Sequence, residues 1–139
     1  MRRYGESRQH EKAKERIGQL LRQAGFNVWV DTHPFECQTE KGPRTYWPDV
    51  YATNFCMLDS HESKDVAGQK GARRIMVEVS GFKGHKSKSA YFSDRARLQD
   101  IRSNHGPIDY YEVRLGSSRH MDVRSWSEAD ILEHLQIDS

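Results

Sequence analysis

Two short apolar segments, each interrupted by a single acid, constrain this chain more than anything else in it. Tyr46-Trp47-Pro48-Asp49-Val50-Tyr51 and Arg74-Ile75-Met76-Val77-Glu78-Val79-Ser80-Gly81 are rich in aromatic and β-branched residues. Both read as strands. An acid inside a strand is a cost unless something uses it, and two acids on neighbouring strands can converge on one divalent cation. Carboxylate oxygens suit Mg²⁺, which keeps several waters and takes only one or two protein carboxylates. Lys83, His85, Lys86 and Lys88 follow the second acid at once. A metal held by acids beside a basic cluster is equipment for cutting a phosphodiester.

The rest of the chain supplies a frame for these two strands. The spacing predicts a helix from about Glu6 to Ala24, because Glu6, His10, Ala13, Ile17, Leu20 and Ala24 share one face. That stripe turns polar at Glu6 and His10, as in a helix whose end leaves the core and borders a cleft. Gly25 is a helix stop. Phe26 to Val30 alternates as a strand, and residues 31–45 read as a polar connection with Pro34, Gly42 and Pro43. Tyr46 to Thr53 is the second strand, with Pro48 suited to an edge or bulge. Residues 54–73 form a long loop or insertion. Arg74 to Ser80 is a strand buried on both faces. A helix over Ser89–Ser103 follows, with Tyr91, Asp94, Leu98 and Ile101 inward. Then come a strand over Ile108–Leu115 and a helix over Ser127–Leu135 with Ser127 as N-cap. The order α-β-β-β-α-β-α predicts one α/β domain over residues 1–139, a central mixed sheet of four to five strands flanked by helices.

Composition sets milder bounds. The net charge of +2 does not by itself indicate nucleic acid, yet basic residues crowd the N-terminus and the Lys83–Lys88 segment. Cys37 and Cys56 form no metal or disulfide pattern and read as reduced thiols. No apolar run reaches membrane-span length. These features lead to the expectation of a cytoplasmic protein without a membrane partner. Trp29, Trp47 and Trp126 read as core or sheet-packing residues rather than base-stacking platforms.

The element order, with Pro48-Asp49 on one strand and Glu78-Val79-Ser80 on the next, resembles the PD-(D/E)xK, or restriction-endonuclease-like, nuclease superfamily. The resemblance covers His10 to about Leu115. The helix ending in Gly25-Phe26 is similar to that of junction-resolving enzymes. Ser7 to Lys14 resembles the His-xxx-Lys helix of competence-associated nuclease-like proteins. Val77 to Gly81 with His85, Asp94 and Arg97 resembles the mismatch-repair endonuclease-like branch.

The resemblance implies a Mg²⁺-dependent DNA endonuclease, with Mn²⁺ as substitute. Asp49, Glu78 and the Val79 carbonyl would hold the metal. Lys83, His85 and Lys88 would handle phosphate or water, with His85 as acid or base. His10, Lys14, Lys86 and Lys88 would border nucleic acid, and Glu6 could be a helix-borne metal acid. The family's lysine position is Ser80 here. Lys83 or another loop lysine could take its place, Lys14 could reach across from the first helix, or the site could be inactive. A domain this small would read DNA shape, as in junctions, branches or mismatches, and a homodimer would suit two-strand cutting. The alternatives are an inactive nucleic-acid-binding module of the same fold and an RNA-directed nuclease.

Overall fold

The computed structural model describes residues 8–55, 71–81, 88–116 and 122–138, with the backbone alone for 88–94. Helix α1 spans Arg8–Gln23 and buries Ala13, Ile17, Leu20 and Leu21. These fall at three- and four-residue steps, so one side of the helix is apolar. Gly25 ends it with φ of 96°. Its N–H reaches the Arg22 carbonyl and the Phe26 N–H the Leu21 carbonyl, both at 3.0 Å. This is the paired bonding of a Schellman cap, in which a residue without Cβ enters the left-handed region cheaply.

Strand β1 (Asn27–Val30) leaves that cap. Residues 31–45, expected as a polar connection, instead contain a hairpin of β2 (Phe35–Thr39) and β3 (Gly42–Tyr46). Phe35 pairs with Tyr46 and Thr39 with Gly42. Gly42 takes φ of 101°, and Thr39 Oγ1 bonds the Gly42 carbonyl at 2.7 Å to close the turn. Phe35 and Cys37 point inward while Glu36 and Gln38 do not, which is the period of a strand with one buried face. Gly42 and Pro43 masked it as loop. A proline is nevertheless tolerated in a strand with an open edge. The expected strand Tyr46–Thr53 is accordingly two pieces. Tyr46 ends β3, and β4 is Val50–Thr53. Pro48 sits in the turn between them rather than at a sheet edge.

Strands β5 (Arg74–Ser80) and β6 (Asp109–Arg114) complete a four-stranded sheet of order β1-β4-β5-β6. β4 is antiparallel to both β1 and β5, and β6 runs parallel to β5. Parallel neighbours need a crossover, supplied by helix α2 (Lys88–His105). The chain is thus α/β with a mixed four-stranded sheet flanked by helices, plus a separate two-stranded hairpin.

Period-two alternation divides the core between the two faces. Val50, Ala52, Ile75, Val77, Val79 and Val113 pack with α1. Tyr51 and Met76 pack with Phe35 and Cys37 of the hairpin and Ile101 of α2. Helix α3 (Glu128–His134) closes the first face through Ile131. Ser127 caps it as expected, in a reciprocal box with Asp130. Arg16 ties α1 to the preceding 3₁₀ turn (Val123–Ser125) by bonds to the carbonyls of Val123 (3.1 Å) and Trp126 (2.6 Å).

Of the tryptophans, Trp29 and Trp126 pack against core clusters as expected. Trp47 does not: it is 42 % exposed. Cys37 is a buried free thiol, and burial above all pushes its pKa up, so it stays protonated and unreactive. Among the described residues no helix is long and apolar enough to cross a membrane. Most of the 54–73 insertion, and Cys56, lie outside the described residues.

The closest packing of α1 on the sheet occurs at Gly18, where an added Cβ would lie 2.9 Å from Val30 Cγ2. A β-branched neighbour cannot swing away. Gly18→Val should therefore destabilise the protein by about 1–3 kcal/mol despite its better helix propensity, measured by urea unfolding. An unchanged midpoint would show that α1 can lift off β1 freely.

Candidate active site

The site begins where β4 starts. Val50 pairs with Val77 in the antiparallel β4–β5 ladder, so one step outward Asp49 lies beside Glu78. The Asp49 carboxylate is 4 % exposed and accepts the Val79 N–H at 2.8 Å through Oδ2. The two predicted acids are therefore neighbours, and the first is fastened to the backbone that follows the second.

Helix α1 reaches the same point. His10 and Lys14 are one turn apart and stack on one side of the helix. His10 Nε2 lies 3.6 Å from Asp49 Oδ2, and Lys14 Nζ lies 3.9 Å from Asp49 Oδ1. Lys14 has 0 % exposure and donates to Asp31 Oδ2 at 2.5 Å. Expected to border nucleic acid, Lys14 is instead an internal cation flanked by two acids. A fully buried ammonium must be paired, and this one is. Asp31 follows β1 directly and takes φ of 61°, a conformation aspartate tolerates better than most residues. Its N–H bonds the Asp49 carbonyl at 3.1 Å, locking the two acids' segments together. Sequence reading missed Asp31. Its signal was an acid at the exit of an alternating strand, where a turn residue is the ordinary interpretation.

A second group approaches from the hairpin and β6. Tyr46 Oη donates to Glu78 Oε1, and the Arg97 guanidinium lies 4.5 Å over the Tyr46 ring. Glu112 pairs with Glu78 across β5–β6, and Asp49 stands one residue before β4, next to the Val50–Val77 pair. Ser80 Oγ donates to Glu112 Oε1 at 2.7 Å. The residue in the expected lysine position is thus spent on a third acid. Tyr110 lies on the same face, two residues before Glu112. Burial, then Glu78, Glu112 and Asp49, push its phenol well above the usual tyrosine range, with Arg97 opposing. The phenol reports an acidic, partly desolvated site. Glu112, Tyr46, Tyr110 and Arg97 had no motif to mark them; only strand register and the unexpected hairpin bring them in.

Glu6, Lys83, His85 and Lys86 lie outside the described residues. Lys88 opens α2, where only the backbone is described, and the same holds for Asp94. Of the expected residues, Asp49, Glu78, Val79, His10 and Lys14 come together, with Ser80 beside them.

The donor set is one of hard oxygens, which fits Mg²⁺ rather than a softer ion. Among the described residues no three His, Cys, Asp or Glu side chains are grouped to hold a metal. An ion here would rest on the Asp49 and Glu78 carboxylates, the Val79 carbonyl and water, within the one or two carboxylates Mg²⁺ commonly takes. Comparison with protein-family models, curated proteins and solved structures found no match.

Two outcomes test this electrostatic arrangement. Lys14→Met leaves Asp31 and Asp49 buried without their cation and should cost about 3–5 kcal/mol in urea unfolding. A loss under about 1 kcal/mol, the size of a surface pair, would mean the ammonium is dispensable. The second concerns Tyr110. Its folded form keeps the phenol proton where the unfolded chain, near the ordinary value of 10.0, has released it. The folded state then binds more protons, so stability falls as pH rises past that value. Unfolding followed across alkaline pH should show this decline, shallower in Tyr110→Phe; identical slopes would refute the assignment.

Proposed function

We propose that this chain is a divalent-metal-dependent endonuclease that hydrolyses phosphodiester bonds in DNA, with a restriction-endonuclease-like core. The observation that carries the reading is the register-enforced adjacency of Asp49 and Glu78, with Lys14 3.9 Å from Asp49. The strand order β1-β4-β5-β6 is compatible with that core once the β2–β3 hairpin is taken as an insertion.

A bound Mg²⁺ would activate a water and counter the charge that grows on the phosphate. The chain's own residues do the rest. Asp49 and Glu78 would hold the ion. The Val79 N–H fixes the Asp49 carboxylate at 2.8 Å, so its orientation is set before any ligand arrives. Lys14 supplies the positive charge that Ser80 lacks, from beneath the site rather than from the motif strand. It is a positioning residue, since its ammonium is buried against Asp31 and Asp49. His10 Nε2, at the outer end of the same helix face, is placed to accept or donate a proton beside Asp49. Tyr46 Oη donates to the Glu78 carboxylate and orients it. Selection by such a site would rest on DNA structure more than on base sequence.

One observation favours a second reading. Ser80 is engaged with Glu112, and Lys14 is engaged with Asp31, so no described lysine stands free at the motif position. A non-cutting DNA-binding module would look the same in these respects.

The test is cleavage of linear, flapped, mismatched and four-way-junction DNA with Mg²⁺ or Mn²⁺. Asp49→Ala and Glu78→Ala should each slow cutting by at least about a hundredfold while DNA binding persists. Tight binding with no cutting of any substrate would establish the non-cutting module instead.

A further inference from the structure

Trp47 lies in the three-residue connection between β3 and β4, and the residue is 42 % exposed. Single exposed aromatics are common on protein surfaces and need no explanation by themselves. The surroundings of this one set it apart. Its neighbours on both sides are fixed into the site. Tyr46 is half-buried and bonded to Glu78. Pro48 and Asp49 are buried, and Asp49 is bonded to the Val79 N–H. Proline restricts both its own φ and the backbone of the residue before it, which is Trp47 itself. The indole is therefore carried on a braced turn rather than on a loose loop. It sits two residues from Asp49 and next to Tyr46, which bonds Glu78, and the Arg97 guanidinium is stacked on the Tyr46 ring.

We propose that Trp47 is a stacking platform for an unpaired nucleobase next to the bond that is cut. The proposal rests on the nuclease reading and narrows its substrate to DNA with a splayed, flapped or single-stranded nucleotide at the cleavage point. The chemistry is specific in this respect. An indole face binds any base by stacking, without regard to its sequence. Inside a continuous duplex both faces of each base are covered by its neighbours, so the platform has nothing to take. An unpaired base offers a free face. Tyr46 and Asp49 hold this segment, so a base seated on Trp47 would lie two residues along the chain from Asp49. Selection for DNA structure then arises from one side chain and does not need a separate domain.

The experiment measures binding without cutting. The full chain in EDTA is titrated against fluorescently labelled oligothymidine, a flapped duplex and a blunt duplex of equal length, by anisotropy. Trp47→Ala should weaken binding to oligothymidine and to the flap on the order of tenfold. It should leave the blunt duplex within about twofold, and Trp47→Phe should retain most of the affinity because it keeps an aromatic face. Because the side chain is exposed, the thermal midpoint of both variants should match wild type, which separates a lost platform from a lost fold. Equal weakening on all three DNAs, or none, overturns the stacking role while leaving metal-dependent cutting by the wild type intact. A wild type that neither binds nor cuts any of these DNAs overturns both.

Discussion

The structure turns on one buried cation. Lys14 projects from α1 into the junction of β1 and β4 and lies among carboxylates from both, Asp31 at 2.5 Å and Asp49 at 3.9 Å. Without it, two acids in adjacent segments would face each other with little water between them. With it, the helix, the exit of β1 and the start of β4 are held at one point. An ion pair of this kind is weak as a source of net stability, because desolvation takes back much of the attraction. Its contribution is to geometry. It sets where β4 begins relative to α1, and so where Asp49 stands.

From that point the sheet does the remaining placement. Antiparallel register carries Glu78 alongside Asp49, and parallel register carries Glu112 alongside Glu78. The apolar residues alternating with them, Val77, Val79 and Val113, go to the α1 side and are buried there. A slip of one residue would send the acids into the core and the valines outward. The same apolar packing that stabilises the sheet therefore sets Glu78 and Glu112 in a row on the opposite face, while Asp49, just before β4, meets His10 and Lys14 of α1. Tyr46, Ser80 and Arg97 then surround that row, and the raised affinity of Tyr110 for its proton is the electrostatic consequence.

Much of this was legible in the residues, and the failures have identifiable causes. Helix α1, the β5 strand, the Ser127 cap and the adjacency of Asp49 and Glu78 all follow from local signals: period, cap chemistry, and acids set in apolar runs. The hairpin was hidden because Gly42 and Pro43 punctuate a strand whose buried residues, Phe35 and Cys37, are only two. Asp31 looked like a turn residue because it is one; its carboxylate has a second use that only α1 reveals. Lys14 was read as bordering nucleic acid or reaching across to the motif position; its burial between Asp31 and Asp49 was hidden because a lone charge in a helix usually reaches water. Glu112 and Tyr110 depend on pairing between strands more than thirty residues apart in the chain, which local patterns do not encode. Trp47 was misplaced for a related reason. An aromatic among strand residues ordinarily packs, and here the strand ends one residue before it.

The short span between β3 and β4 has a mechanical meaning. Only Trp47, Pro48 and Asp49 separate Tyr46, the last residue of the hairpin, from Val50, the first of the sheet strand. A linker this short, stiffened by proline, transmits displacement instead of absorbing it. Any force that tilts the hairpin draws on Asp49 at one end of the linker and on Glu78 through Tyr46 at the other. The hairpin thus behaves as a lever whose fulcrum is the pair of acids. Whatever grips its outer tip, far from the site, is coupled through that linker to both Asp49 and Glu78.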